Sequence, residues 1–279
     1  MACDDLMKYL STKEILQNTF DTIKLLGESG VVPNDKQVHK IRVSNKRLRA
    51  RLQLLNRLAG QLYETTDIVD QLKKLNQYLS GQRDYDVVVK LLDCIIEDEK
   101  NSKLLPLFIK IKESIVRSSR VESLNYKDIQ KVTIEIWNCY MCLPDTNIKL
   151  DDISSHIQKS FRKICKSGSH AMKIQGCDGL HEWRKQVKNL VYQYEILHKG
   201  KYDLSLPMKE LEKLGDKLGQ VHDLCFLEQI INEQYDDISQ HFEALDNEFI
   251  HHYLFSKRKD ITEKCSNLHK KICSGKQIY

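Results

Sequence analysis

Apolar residues recur along most of the chain at the three- and four-residue spacing of amphipathic helices. The first such segment begins at Ser11, where Ser-Thr-Lys-Glu forms a capping-box sequence, and it places Ile15, Phe20 and Ile23 on one side. Pro144 marks the clearest turn in the middle of the chain. Further helices are predicted near 35–60, 66–80, 83–99, 103–118, 126–142, 152–167, 179–199, 207–241 and 245–273. No segment alternates as a half-buried strand does, so the fold is predicted to be all-α.

The two halves of the chain share a pair of motifs. The first motif is a histidine helix, which reads His39-Lys-Ile-Arg42 with Lys46, Arg47 and Arg49, and then His181-Glu-Trp-Arg184 with Lys188 and Tyr192. The second is a short downstream element, which reads Leu79-Ser-Gly-Gln-Arg83-Asp84 and then Leu218-Gly-Gln-Val-His222-Asp223. The offsets are 181 − 39 = 142 for the histidines and 223 − 84 = 139 for the aspartates. A nearly constant offset predicts an internal duplication: two tandem four-helix bundles, 1–145 and 146–279, related by an approximate two-fold axis.

Positive charge is concentrated in one predicted helix. The segment 36–63 holds eight Lys or Arg residues and no Asp or Glu, although the whole chain has a formal charge of only +5. The rest of the chain therefore sums to 5 − 8 = −3. Because like charges repel one another, such a concentration is typical of a surface that binds a polyanion.

Helical geometry sorts the residues of this segment onto separate faces. A basic stripe within roughly 80° of arc holds His39, Arg42, Lys46 and Arg49. The adjoining core face holds Val38, Ile41, Leu48, Leu52 and Leu55, and a third side, predicted to be solvated, holds Lys40, Arg47 and Arg51. The second half repeats the plan, with His181, Arg184 and Lys188 on the stripe and Leu180, Trp183, Val187, Leu190 and Tyr194 facing the core. In that half a solvated charged face remains an alternative, because Glu182 and Glu195 are nearby.

A second basic row precedes the second histidine helix. It holds Lys159, Arg162, Lys163 and Lys166, on the side away from Ile153, Ile157, Phe161 and Ile164. No acidic residue occurs between Ile153 and Cys177, so the row is predicted to form a second wall of a polyanion site. An ordinary exposed face is the alternative interpretation.

The histidines and cysteines leave alternatives open. Asp84 and Asp223 are natural partners for the motif histidines, each of which either packs through a hydrogen bond or contacts a ligand. Nine cysteines are an odd and scattered set, and the chain begins without the basic and apolar regions of a signal peptide. We therefore expect an intracellular protein with reduced, packed thiols. Cys139 and Cys142 have CxxC spacing, for which buried thiols are favoured over a metal site.

Together these residues resemble the CHAD family, the conserved-histidine α-helical domain. The first copy of its pattern runs from His39 through Arg42, Lys46 and Arg49 to Arg83-Asp84, and the second copy keeps His181, Arg184, Lys188 and His222-Asp223. The second copy departs from the pattern at Asn189 and Val191, where the family carries further basic residues. The likeness spans about residues 10–250.

The resemblance implies two four-helix bundles whose basic surface and central cavity bind inorganic polyphosphate. It implies a binding protein that is not an enzyme and has no cofactor or metal. No uncharged run exceeds nine residues, so no membrane-spanning helix is expected, and the expected location is the cytoplasm, with association with polyphosphate granules and a nuclear location as open alternatives. The implied ligand-binding residues are the two stripes, Arg47, Arg83, His222 and the row Lys159, Arg162, Lys163 and Lys166, with Asp84 and Asp223 as orienting residues.

Three other functions compete with this interpretation. RNA or DNA binding would use the same basic helix, but only Tyr192 borders the stripe as an aromatic platform for bases. A phosphoanhydride hydrolase would need clustered carboxylates or an activated nucleophile, and the sequence shows neither pattern. A histidine-based metal chelator would need His39, His181 and His222 to come together.

Overall fold

The computed structural model of the chain describes residues 9–28, 33–59, 66–79, 81–99, 103–118, 126–174, 176–199, 202, 204–233 and 244–274. Over these residues it contains ten helices and two short strands. The elements are β1 Tyr9–Ser11, α1 Thr12–Glu28, α2 Asp35–Ala59, α3 Thr66–Tyr78, α4 Gly81–Asp98, α5 Leu105–Ser118, α6 Tyr126–Cys142, β2 Asn147–Lys149, α7 Leu150–Ile174, α8 Cys177–Lys199, α9 Met208–Glu233 and α10 Ala244–Ser274. The all-α prediction is confirmed.

The start of α1 forms as its sequence predicts. The backbone N–H of Ser11 donates to Glu14 at 2.7 Å, and that of Glu14 donates to the Ser11 hydroxyl at 3.1 Å, which closes the capping box. The prediction that no strand exists is wrong at this point, because Tyr9–Ser11 pairs antiparallel with Asn147–Lys149. Three residues are too short for an alternating pattern to show.

The described chain divides into two compact units that are interleaved along the sequence. Unit 1 takes residues 1–80, 123–164 and 188–206, and unit 2 takes 81–122, 165–187 and 207–279. Helices α7 and α8 therefore each contribute one part to each unit. The predicted division at 145 concerns repeats in the sequence and stays a prediction.

Each unit has its own apolar core. In unit 1 the core side chains come from α1, α2, α3 and α6, and the ring of Phe20 stacks on that of Tyr140 with centroids 4.0 Å apart. In unit 2 the core joins α4, α5, α9 and α10, with Phe108 at 0% exposure among Leu92, Leu227 and Leu254. Both cores consist of the apolar faces that the helical periodicity assigns.

Helix α7 is longer than predicted. The expected end near 167 is wrong, because the Ser-Gly-Ser segment lies inside the helix rather than in a loop. A Cβ added to Gly168 would lie 2.5 Å from the Trp183 ring and 2.7 Å from the His269 ring, so the glycine allows three helices of unit 2 to approach closely. The imidazole of His269 also hydrogen-bonds the Cys165 carbonyl at 2.9 Å.

The cysteines differ from the expectation of reduced, buried thiols. Cys177 and Cys225 form a disulfide across 48 residues of sequence. Cys142 is exposed and Cys139 is half-buried, so this CxxC pair is not a packed core pair. Within the described ranges, no helix has both the length and the hydropathy that crossing a bilayer requires.

Candidate functional site

The core face of α2 and most of its basic stripe lie where the sequence predicts them. Its core residues Val38, Ile41, Leu48, Leu52 and Leu55 are at most 7% exposed. On the basic stripe, His39, Lys46 and Arg49 are exposed and Arg42 is half-buried. No ion pair to the exposed Arg49 is found within the described residues.

Arg42 and its counterpart Arg184 each contact the backbone of their own downstream motif. Arg42 donates from one Nη to the Leu79 carbonyl at 2.8 Å in unit 1. In unit 2, Arg184 lies against Gly219, where an added Cβ would be 3.5 Å from its Nε, and that Nε is buried without a hydrogen-bond partner in the part of the chain described. These arginines link the two motifs of each half, in addition to the role predicted for them on the stripe.

The sequence predicted a solvated side for Arg47 and Arg51, but Arg51 is buried and Arg47 is only partly exposed. The Arg51 side chain is 4% exposed and donates to the Ile15 carbonyl at 2.9 Å and to Glu195 at 3.3 Å. Arg47 binds Glu195 through two nitrogens, at 2.9 and 3.1 Å, and covers the Tyr192 ring at 5.6 Å. Burial is the main reason that the pKa of Arg51 is lowered, and the Glu195 carboxylate opposes this shift.

The contacts between α2 and α8 are reciprocal under the offset of 142. Arg47 contacts Glu195, and 195 − 142 = 53, while the side chain of Gln53 accepts a hydrogen bond from Asn189 at 3.4 Å, and 189 − 142 = 47. Residues 47 and 53 of one copy thus contact residues 53 and 47 of the other. Such reciprocity is the geometry of a two-fold axis, and it supports the predicted duplication.

Helix α7 carries the second basic row on its exposed side. Lys159, Arg162, Lys163 and Lys166 are all exposed, whereas Ile153, Ile157, Phe161 and Ile164 are at most 8% exposed. Burial lowers the pKa of His156, and the charges of Arg57 on α2 and Lys159 on α7 lower it further. In unit 1 the end of α2 and the start of the α7 row are therefore close enough for both charges to act on His156.

The motif histidines of the second half meet in unit 2. The rings of His181 and His222 lie 4.3 Å apart, and both line a cavity of about 520 Å³. Burial, followed by the charges of Lys185 and Arg184, lowers the pKa of His181, whose Nδ1 is buried without a partner among the described residues. Asp223 and Lys188 are half-buried.

Two predicted site residues, Arg83 and Asp84, have side chains outside the described residues. The structure brings Arg42 to Leu79 in unit 1 and His181 to His222 in unit 2. It separates Arg47 from the basic stripe by pairing it with Glu195. The convergence of the two histidine stripes on a common groove stays a prediction, as does the role of His39 toward a ligand.

Comparisons with known proteins agree on one fold. The family model described as "CHAD domain" matches residues 14–232, which is more than half of the chain. The crystal structure of the CHAD domain from the plant Ricinus communis is similar to this chain with a TM-score of 0.64 and 18% identity, over 94% of this chain and 90% of that one. A comparison with curated proteins gives no match.

Proposed function

Since the chain belongs to the CHAD domain family, we propose that it binds inorganic polyphosphate without catalysing a reaction, through the exposed cations of α2 and α7. The observation that carries this proposal is that two helix segments of unit 1 expose cations and contain no acidic residue: residues 36–59 of α2 and residues 153–164 of α7. Arg49 on α2, with Lys159 and Arg162 on α7, is exposed and has no ion pair within the described residues.

The physical fit is one of charge and length. At 1.5 Å per residue, the cations of α2 from Lys36 to Arg57 extend over about 32 Å, and the row on α7 from Lys159 to Lys166 extends over about 10 Å, so each helix presents a row rather than a point. Polyphosphate carries roughly one negative charge per phosphate, and guanidinium groups pair with phosphate oxygens through two hydrogen bonds. Each cation that contacts the ligand releases counterions, so affinity falls steeply as salt rises.

The aromatic residues of the site argue against recognition of single-stranded nucleic acid. Base stacking requires exposed rings beside the cations. Trp183 and Tyr194 are 1% and 4% exposed, and the Tyr192 ring is covered by the Arg47 guanidinium. A ligand of repeated phosphates needs no such platform.

A competition experiment tests the proposal. Fluorescently labelled long-chain polyphosphate is bound by the full chain and then challenged with unlabelled polyphosphate, single-stranded RNA or duplex DNA at equal phosphate concentration. We expect polyphosphate to displace the label and the nucleic acids to require at least about tenfold more phosphate. Equal displacement by RNA or DNA would refute the proposal, and release of orthophosphate on addition of Mg²⁺ would refute its non-catalytic part.

A further inference from the structure

The cavity of unit 2 is lined by two cysteines and two histidines from a pair of helices. Cys177 and His181 lie four residues apart on α8, and His222 and Cys225 lie three residues apart on α9. Residues at these spacings share one helix face, so each helix presents a sulfur and an imidazole to the cavity. None of the α2 and α7 cations in the proposed function belongs to this set, although His181 and His222 are among the ligand-binding residues that the family resemblance implies.

The four side chains form two layers between the helices. In one layer Cys177 and Cys225 are joined by a disulfide with Cα atoms 6.3 Å apart, and in the other the rings of His181 and His222 have centroids 4.3 Å apart. On α8 the cysteine precedes the histidine, whereas on α9 the histidine precedes the cysteine, so a pair of helices running in opposite directions places like residues opposite each other. A buried Nδ1 on His181, which has no hydrogen-bond partner in the described chain, adds an unused ligand atom to a residue that lines the same cavity as the two cysteines.

We propose that reduction of the Cys177–Cys225 disulfide creates a zinc site made of Cys177, His181, His222 and Cys225. A dithiol supplies two electrons and two protons and becomes a disulfide itself, whereas a phosphine supplies two electrons, takes the oxygen atom of a water molecule and leaves the two protons of that water to the sulfurs. In either case the S–S bond breaks and two thiols form. Zn²⁺ then displaces the two thiol protons to solvent and binds two thiolates and two neutral imidazoles. The disulfide state excludes the metal, because its sulfurs are bonded to each other.

Zinc is the metal that this donor set selects. Two thiolates and two imidazoles in a tetrahedral arrangement are the ligands of structural zinc sites. With the disulfide formed, no group of three His, Cys, Asp or Glu side chains among the described residues is placed to hold a metal ion. The site therefore depends on the redox state of the cysteine pair, which makes this cavity a redox-gated metal site.

The surroundings of the sulfurs favour the reduced, thiolate-containing state. An Nη of Arg258 lies 3.4 Å from Cys177 Sγ and 3.8 Å from Cys225 Sγ, and the same nitrogen contacts Glu228. A guanidinium beside a thiolate stabilises its charge, and hydrogen bonds from such outer groups hold metal ligands in place. Zn²⁺ with two thiolates is neutral, and Arg258 with Glu228 is also neutral, so the cavity gains no net charge on loading.

The experiment measures zinc on the full chain in both redox states. Protein is prepared reduced with a phosphine or oxidised, incubated with Zn²⁺, and freed of loose metal by gel filtration before elemental analysis. We expect about one zinc ion per reduced chain and almost none per oxidised chain. In parallel, Co²⁺ added to the reduced chain should give the visible bands of a tetrahedral, thiolate-bound ion.

Variants separate the ligand set from general thiol binding. Cys177→Ser with Cys225→Ser should abolish zinc retention, while the matched control Cys139→Ser with Cys142→Ser, which removes the CxxC pair of α6, should retain it. His181→Gln keeps both cysteines and should weaken zinc affinity by at least about 100-fold, since loss of an outer-shell partner alone weakens it by about 10- to 100-fold. Circular dichroism of the oxidised His181→Gln chain checks that its helix content matches that of the wild type.

Three results would overturn the proposal: no zinc on the reduced chain, equal zinc on both redox states, or full retention in His181→Gln. Because the readout is metal content, it is independent of whether the chain binds polyphosphate.

Discussion

Glu195 holds two arginines of α2, and its removal should separate the stability of unit 1 from its affinity for polyanions. In Glu195→Gln the carboxylate charge is lost while the shape of the side chain is kept. Arg51, 4% exposed, keeps its bond to the Ile15 carbonyl but loses its only anionic partner within the described residues. Arg47, 38% exposed, donates through Nε and one Nη to the same Glu195 oxygen, and in the variant it loses the negative charge that neutralises it.

The expected magnitude follows from the exposure of each partner. Leaving a fully buried charge unpaired costs about 3–5 kcal/mol, but Glu195 is 32% exposed, so water screens part of this effect. The exposed Arg47 contact adds about 0.5 kcal/mol. We therefore expect a loss of about 2 kcal/mol in the free energy of unfolding, which lowers Tm by about 4–8 °C.

The assay combines thermal unfolding with polyphosphate binding at low salt. Because the released Arg47 adds a positive charge to the α2 surface, binding should be as tight as in the wild type or tighter, while Tm falls. Glu182→Gln is the matched control: its 3.4 Å pair with Lys185 has 61% and 54% exposed side chains, so its Tm should change by no more than about 1 °C. An unchanged Tm in Glu195→Gln, or weaker polyphosphate binding, would refute this reasoning.

Three further predictions concern separate features. Gly168→Ala should lower stability by about 1–3 kcal/mol, measured by urea unfolding, because the methyl group would clash with Trp183 and His269; a stabilised variant would contradict the packing. Because the pKa of His156 is depressed in the folded chain, the unfolded chain binds more protons as pH falls through 6.5. The free energy of unfolding should therefore fall as pH drops from about 7.5 to about 5.5, and it should fall less in His156→Gln. Measuring Tm at each pH checks this expectation. Arg162→Ala should reduce the slope of log Kd for polyphosphate against log salt by about 0.7–0.9, and an unchanged slope would remove this residue from the site.

The periodicity of the sequence predicts most of the fold because each helix here buries one apolar face. The bounds of α2 and the burial of Leu48 and Trp183 followed from that pattern alone. What local patterns do not contain are partners distant in sequence. Arg51 was placed on a solvated side because its carboxylate lies 144 residues away, and the disulfide spans 48. Gly168 fell just outside the predicted helix 152–167, since the rings that require a glycine come from other helices.

The candidate site was predictable in its composition and less so in its contacts. The stripe and the α7 row could be predicted from charge and helical spacing, because the exposure of a cation depends mainly on the helix face that carries it. The half-buried Arg42 gained a structural bond to the Leu79 carbonyl, which no side-chain pattern encodes. The sequence did contain a clue to the role of Glu195. It is the acidic residue within 188–199, and the segment 36–63 of the first half contains no acidic residue that could pair with Arg47 or Arg51.

The most direct test of the central claim is the dissociation constant for long-chain polyphosphate of the double variant Arg49→Glu with Arg162→Glu, compared with the wild type and with Lys131→Glu. Lys131 is an exposed cation on α6, so its reversal tests general charge rather than the two rows. We expect the dissociation constant of the double variant to be at least about 100-fold higher than that of the wild type. That of Lys131→Glu should change by less than about threefold, and helicity should be unchanged in both variants. Equal weakening by the control, or undiminished binding by the double variant, would contradict the central claim.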